Sequence, residues 1–427
     1  MSLTQQGYLN RLVDAKIDTM LNAFGAVAID GPKWCGKTWT ALNHGNSVTY
    51  IGDPTGNFQN RQAAQLDPSL VLDGEAPKVI DEWQEVPALW DAVRFSVDQS
   101  AERGRYILTG SSTPNFKGVL HSGAGRIGVT RMRPMSLFES GYSTGVVSLS
   151  AMFELRLESR FTGEVTVDAL IKHVIMGGWP GTRDMSPRDA REVTEGYLYA
   201  VTHNDISRID SVSRNPHRVM MLLRSLARNE STIASLRRLK KDMQEYDDDI
   251  LDEKTITDYL EVLQRLFLID DQPAFNPNMR SSVRVGKMPK RHLADPSLAA
   301  AALGATQETL KGDLNTFGFL FEAMCERDLR IYAQCADGEL YHYRDGRGRE
   351  IDAVITLPDG RWAAMEIKLG AHQIDEAASK LLALQADMKR DPKAIPPSLL
   401  CVVCGMTAYA YTRPDGVCVV PITALRE

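Results

Sequence analysis

The octapeptide Gly31-Pro32-Lys33-Trp34-Cys35-Gly36-Lys37-Thr38 constrains this chain more than any other stretch of it. It satisfies the spacing G-x-x-x-x-G-K-[ST] in full, directly after the apolar run Ala26-Val27-Ala28-Ile29 and ahead of helical sequence from Trp39 to Asn43. Such a loop works only between a strand and a helix. The glycines let backbone N–H groups wrap a phosphate, and the helix presents its positive end to the same anion. On this spacing Gly31 to Trp39 form a nucleotide-binding loop, Lys37 reaches the β- and γ-phosphates, and the Thr38 hydroxyl holds Mg²⁺.

Three further segments extend the pattern. Lys78-Val79-Ile80-Asp81-Glu82 reads as a short strand ending in two acids, with another candidate strand, Ser47 to Ile51, before it. Asp81 is placed to bind the nucleotide's Mg²⁺ and Glu82 to polarise an attacking water, a base needed for hydrolysis but not for nucleotide storage. Arg105 to Thr109 is a strand ending in Gly110-Ser111-Ser112, where Ser111, with Thr109 close behind, is placed to sense the γ-phosphate. Gly125-Arg126-Ile127-Gly128-Val129-Thr130 is a strand with an arginine at its entrance. Arg126 there could complete the site of a neighbouring subunit, with Arg131 and Arg133 competing for that role.

The chain has 427 residues, enough for two or three cores. Its 43% hydrophobic and 24% charged residues are ordinary for a soluble globular protein. No apolar run approaches the eighteen residues of a membrane span, and the polar N-terminus lacks a secretion pattern, so a cytoplasmic protein without membrane contact is expected. A net charge of −6 leaves no global basic footprint, so any nucleic-acid contact must come from local patches. Six cysteines are scattered, and the pair Cys401/Cys404, with Cys418 nearby, lies in an apolar stretch that reads as a buried reduced strand.

From about Asp168 to Leu303 the pattern is largely helical. Ile256, Tyr259, Leu260, Leu263, Leu266 and Phe267 recur at helical spacing, after an earlier helix around Ile233 to Met243. An extended ribbon follows, with Arg280, Arg284, Lys287, Lys290 and Arg291 and no acids. Helix, helix, basic ribbon is the order of a winged helix-turn-helix, whose ribbon can contact phosphates. The acidic run from Glu245 to Glu253 between the helices argues instead for packing or protein docking.

In the last third, Glu350-Ile351-Asp352-Ala353-Val354-Ile355 and Ala363-Ala364-Met365-Glu366-Ile367-Lys368 flank the turn signal Pro358-Asp359-Gly360. A hairpin centred on Asp359 sets Asp352 opposite Glu366 and Glu350 opposite Lys368, all on one surface. Ile351, Ala353, Ile355, Ala363, Met365 and Ile367 form an apolar face behind them. Facing carboxylates repel, which raises a pKa or creates a divalent-cation site, here for a second Mg²⁺ or Mn²⁺.

The order of P-loop, intervening strand, Asp-Glu strand, Leu-Thr-Gly-Ser-Ser strand and Gly-Arg strand resembles the AAA-superfamily ATPases. More narrowly, it resembles the prokaryotic ATPases that join this core to a C-terminal domain of unknown function. Gly177-Gly178-Trp179-Pro180 and Leu293-Ala294-Asp295-Pro296 are further marks of that group. The hairpin resembles the PD-(D/E)XK nuclease pattern, which implies metal binding by Asp352 and Glu366, a catalytic Lys368 and an accessory acid, Glu322, on the preceding helix. It departs from that pattern where Arg349-Glu350-Ile351 stands in place of Pro-Asp.

The resulting expectation is an α/β multidomain chain. Residues 1–160 form a P-loop AAA-type parallel-sheet core, 161–304 a helical winged-helix middle, and 305–427 an α/β restriction-endonuclease-like domain. Its function is expected to be ATP hydrolysis with Mg²⁺ acting on DNA, branched DNA included, in a homo-oligomeric ring. The alternative is a nucleotide-dependent protein-docking switch whose nuclease-like domain is an inactive scaffold.

Overall fold

The computed structural model describes residues 3–113, 121–154, 157–210, 212–244, 252–278, 288–346 and 348–427. The chain divides into two compact units. One comprises Met1–Pro134 with His203–Arg214 and Leu260–Leu268; the other comprises Met135–Thr202, Asn215–Tyr259 and Ile269–Glu427.

In the first unit, α1 (Asp14–Ala23) leads into β1 (Ala26–Asp30), and the P-loop joins β1 to α2 (Lys37–His44). β2 (Ser47–Tyr50), α3 (Thr55–Leu66), β3 (Lys78–Asp81), α4 (Ala88–Asp98), β4 (Tyr106–Gly110) and β5 (Ile127–Arg131) follow. The strands pair in the order β2-β3-β4-β1-β5, every pair parallel. A parallel sheet needs crossovers that cover its faces, so its central strands must be apolar on both sides. Ala26 to Ile29 and Ile107 to Leu108 are accordingly fully buried. Leu89, Val93 and Val97 of α4 pack into the same core as Ile80 and Leu108, beside Trp83 and Trp90 at 4.8 Å between rings. The register then decides the chemistry: Thr109 on β4 is level with Ile29 on β1 and with Asp81 on β3, so the three strands end together.

The N-terminal stretch of this unit runs to Pro134, where the expectation set a boundary at residue 160. β6 (Val147–Ser148) pairs with β14 (Leu425–Arg426), and β7 (Arg160–Phe161) pairs with β12 (Tyr409–Thr412). These pairings, on either side of α5 (Leu149–Glu154), draw residues 135–161 into the second unit.

The middle of the chain runs through α6 (Val167–Met176), α7 (Pro187–Ala200), a π-helical turn (Val201–Asp205), α8 (Ile206–Arg208), α9 (Pro216–Arg228), α10 (Leu236–Gln244) and α11 (Glu253–Arg265). Thr232 bridges Arg291, and Ile269 and Gln272 bridge Leu293 and Lys290, all antiparallel. Next come α12 (Pro296–Ala302), α13 (Gln307–Gly312) and α14 (Leu314–Cys335). They lead to the sheet of β8 (Glu339–Arg344), β9 (Glu350–Thr356), β10 (Trp362–Gly370), β11 (Leu399–Met406), β12 and β13 (Cys418–Pro421), with α15 (Ile374–Arg390) between β10 and β11. Strand order is β7-β12-β13-β11-β10-β9-β8.

The hairpin register expected from the Asp359 turn holds from Trp362↔Thr356 to Met365↔Ala353. The expected division into one polar and one apolar face does not. Val354, Ala364, Leu400 and Val402 pack with Leu381 and Leu384 of α15, while Phe321 of α14 approaches Gly405 from the other side. With helices on both faces, Glu366 is fully buried. Cys401 and Cys404 are buried, free thiols on β11, and their odd spacing turns them to opposite faces.

The two four-residue motifs meet in the core of this unit. The Gly178 N–H donates to Asp295 Oδ2 at 2.9 Å, and Trp179 Nε1–H donates to Ser297 Oγ at 2.9 Å. Arg327 of α14 donates to Asp295 Oδ2 at 2.8 Å and to Asp328 Oδ1 at 2.7 Å, and the Leu137 N–H donates to Asp328 Oδ2 at 2.9 Å. A Cβ on Gly178 would lie 2.1 Å from the Met135 carbonyl oxygen, so only glycine fits this approach. Arg327, Asp295 and Asp328 are nearly or fully buried, and removing one member leaves the others charged in a dry interior. Arg327→Leu is therefore expected to destabilise the second unit by about 3–5 kcal/mol. Urea denaturation followed by the Trp179 and Trp362 fluorescence would read this as a lowered midpoint.

Candidate functional site

The P-loop takes the shape its glycines allow. Gly36 has φ +104°, a left-handed conformation that an L side chain rarely adopts, and it turns the chain into α2. Lys37 is buried, its Nζ donating to the Pro32 carbonyl at 2.8 Å inside the loop. Trp34 and Trp39 stay partly exposed at 38% and 46%, leaving two indole surfaces beside the loop. Arg11 braces the loop from below, donating to the Cys35 carbonyl and to the Arg133 carbonyl, each at 2.8 Å. Nothing in the sequence marks Arg11, because its partners lie far along the chain.

Asp81 stands at the centre of the strand ends. Its Oδ1 accepts from Thr38 Oγ1 at 2.8 Å and from Thr109 Oγ1 at 2.7 Å. Burial raises its pKa, and the two hydroxyl hydrogen bonds oppose that rise. Thr38 and Asp81 thus bring two hard oxygen donors to one point, the donor type that suits Mg²⁺ with a triphosphate. Next to them, Glu82 adopts φ +59°, and its N–H donates to Thr109 Oγ1 at 3.1 Å. Ser111 Oγ donates to Glu82 Oε2 at 2.9 Å. The expected sensor and the expected base therefore touch each other.

Gln84 joins them. Its Nε2 donates to Glu82 Oε2 and, at 3.2 Å, to Ser111 Oγ. Gln84 carries no motif in the sequence, although its place two residues beyond Glu82 puts it in the same turn. Asp30, at the end of β1, is likewise unmarked: burial pushes its pKa up to about 6 against the pull of Lys37 and Arg131.

The arginines separate. Arg126 lies at the N-terminal end of β5, where its carbonyl accepts from Ala26 N–H, and it pairs with Asp98 at 2.8 Å. That end of a parallel sheet is opposite the P-loop, so Arg126 does not serve the site of its own chain. Arg131 is level with Asp30 at the P-loop end, its guanidinium 5.4 Å from the centre of the Phe267 ring.

In the second unit, Asp352, Glu366, Lys368 and Glu322 do converge, but lysines fill the spaces between the acids. Lys368 Nζ lies 3.0 Å from Asp352 Oδ2 and 2.8 Å from Glu366 Oε2, and Lys380 of α15 lies 2.7 Å from Glu366 Oε1. The Ile367 N–H also donates to Asp352 Oδ2 at 2.8 Å. Burial raises the Asp352 pKa, but Lys368 and Lys290 outweigh it and hold the carboxyl below its ordinary value. Burial and the Asp352 charge raise Glu366. Lys290 pairs with Glu322 and, at 2.8 Å, with Glu326, and burial pushes Glu322 up to about 8 against the Lys290 charge. Glu350, expected opposite Lys368, pairs with Arg344 at 3.1 Å instead. Among the described residues no group of three or more His, Cys, Asp or Glu side chains is disposed to hold a metal ion. Three ammonium groups thus stand among four acids, and each acid has a lysine partner.

The basic ribbon is also altered. Lys290 and Arg291, expected to meet DNA, are 8% and 9% exposed, and Arg291 pairs with Asp271. Both belong to the bridged pair of segments, whose inward positions bury them beside acids. Arg280, Arg284 and Lys287 lie outside the described residues. No helix among the described residues is long and apolar enough to cross a membrane.

Comparison with known proteins places these features. Residues 23–140 match the AAA domain family, and residues 167–309 and 317–425 match two domains of unknown function, DUF8612 and DUF4143. Uncharacterized protein Rv2008c of Mycobacterium tuberculosis and uncharacterized protein Mb2031c of Mycobacterium bovis are each 24% identical over 365 residues, covering 83% of this chain and 72% of theirs. Among solved structures, a Walker-type ATPase of Pyrococcus abyssi is 14% identical, covering 70% of this chain and 97% of its own, with a TM-score of 0.45. The RuvB Holliday junction branch migration motor of Thermotoga maritima is 17% identical, covering 64% and 94%, with a TM-score of 0.26. Residues 23–140, the stretch that matches the AAA domain family, carry the P-loop at the end of a parallel sheet.

Proposed function

We propose that this chain binds and hydrolyses ATP with Mg²⁺ and uses the cycle as a switch, and that its C-terminal carboxylates serve structure rather than cleavage. The observation that carries the first part is the convergence of Lys37, Thr38, Asp81, Glu82 and Ser111 at the C-terminal ends of β1, β3 and β4. Lys37 and the loop N–H groups neutralise and orient the phosphates. Thr38 and Asp81 would hold Mg²⁺, which supplies charge neutralisation on the phosphate oxygens when bound. Glu82 accepts the proton of the attacking water, and Ser111, already bonded to Glu82, links that base to the γ-phosphate position. Arg126, facing away from its own site, acts on a neighbouring copy in a homo-oligomeric ring.

The second part rests on Lys290, Lys368 and Lys380 standing among Glu322, Glu326, Asp352 and Glu366. A nuclease site of that pattern needs its acids free for a divalent ion, and here each has a lysine partner.

A second reading, in which DNA is the partner, is favoured by the order of α9, the Thr232 bridge, α10, α11 and the bridged segments that follow, which is the order of a winged helix. Arg237 and Arg238 of α10 have side chains 91% and 49% exposed, each paired with an acid, Glu253 at 3.8 Å and Asp242 at 3.4 Å, and such solvent-facing pairs can open to a phosphate.

Lys37→Ala should lower steady-state ATP hydrolysis by about 100-fold or more; unchanged turnover would reject the P-loop assignment. Glu82→Gln should lower kcat by about 10²–10⁴-fold while leaving ATP bound, measured by single-turnover kinetics beside equilibrium binding; full turnover would assign the base elsewhere. Wild-type protein should leave duplex and four-way-junction DNA uncut in Mg²⁺ or Mn²⁺. Metal-dependent cleavage that Asp352→Ala abolishes would overturn the structural reading of that cluster. Adding the same DNA to the ATPase assay separates the readings, since stimulation identifies DNA as the partner and indifference favours a protein.

A further inference from the structure

The P-loop has a partner that the nucleotide reading does not use. Lys33, within the octapeptide, extends its ammonium to Asp205 Oδ1 at 2.6 Å. The lysine side chain is 42% exposed and the aspartate side chain only 11%, so the acid is held in place and the lysine reaches to it. Asp205 closes the π-helical turn Val201–Asp205 and opens α8. Single π turns inside helices are rare and often mark functional positions, because they displace one residue from the ordinary helical face. Residues 203–214 belong to the same compact unit as the P-loop, although about 170 residues separate the paired groups along the chain.

The same segment is tied to the other end of the phosphate site. Arg265 Nη2–H donates to the Ile209 carbonyl at 3.1 Å and Nε–H to the Thr113 carbonyl at 3.1 Å, while the Thr113 N–H donates to the Arg265 carbonyl at 2.9 Å. Thr113 lies two residues beyond Ser111, the residue bonded to Glu82. Asp210 and Arg214 lock the segment internally through two contacts of 2.7 Å. Residues 203–214 therefore touch the P-loop through Asp205 and the exit of β4 through Arg265.

Resting on the ATP-binding reading, we propose that Asp205 is a positioning residue that competes with nucleotide phosphate for Lys33. The carboxylate holds the lysine at 2.6 Å. A triphosphate brings a larger negative charge to the same loop, draws Lys33 across, and releases the anchor of residues 203–214. By linkage, whatever holds those residues in place weakens nucleotide binding, and nucleotide loosens them in return.

The test uses the full-length protein at low ionic strength, with MgATP and a non-hydrolysable analogue as probes. Asp205→Asn removes the competitor and should tighten analogue binding and lower KM by about two- to fivefold, the scale of a half-exposed ion pair, with kcat changed less. Weaker or unchanged binding would overturn the proposal. Lys33→Gln breaks the pair from its exposed side, and in that background Asp205→Asn should no longer tighten binding; additive effects would sink the competition. Asp205→Glu should restore the wild-type KM. Hydrogen exchange of the wild-type protein needs no variant: amides of residues 203–214 should lose protection when the analogue binds, and unaltered protection would reject the release. Failure of the wild type to bind either probe, with Lys37→Ala as blank, would instead reject the ATP-binding reading itself.

Discussion

One carboxylate oxygen organises the first unit. Asp81 Oδ1 accepts from Thr38 at the start of α2 and from Thr109 on β4, so the P-loop helix and two strands are referenced to a single atom. The arrangement depends on strand order. Because β4 lies between β3 and β1, the loop after β1 and the acids ending β3 sit on either side of Thr109. Burial makes the two hydroxyl donors necessary, since an unpaired acid at this depth is costly.

The second unit deals with buried charge differently. Arg327 sits between Asp295 and Asp328, and Lys290, Lys368 and Lys380 sit among four acids. Pairs of this kind add little net stability over a well-packed apolar core, but breaking one is severe. They instead specify which segments meet. Asp295 receives the Gly178 amide and Arg327, and Asp328 receives the Leu137 amide, so the segment around Leu137 and the motifs of the middle are fastened to α14 in one arrangement.

Much of this could be read before the fold was seen. The P-loop, the Asp81-Glu82 strand end and Ser111 are local signals, each carried by fewer than ten consecutive residues. The hairpin register followed from the Asp359 turn, because a turn fixes cross-strand pairing over short distances. The readings that failed involve long-range neighbours. Lys290 and Arg291 looked like free basic residues until Glu322, Glu326 and Asp271 were brought to them. The carboxylate face read as a site for a divalent ion until α15 brought Lys380 to Glu366.

Sequence alone determined the chemistry available at each strand end, since residue type and spacing dictate which atoms a short loop can present. Tertiary structure alone decided which charges remain free. That outcome depends on contacts between residues tens to hundreds of positions apart, such as Lys33 with Asp205 or Lys290 with Glu322, and on the desolvation that forces buried charges to find partners. A charge's availability to a ligand is a property of its surroundings, and the chain acquires those surroundings only by folding.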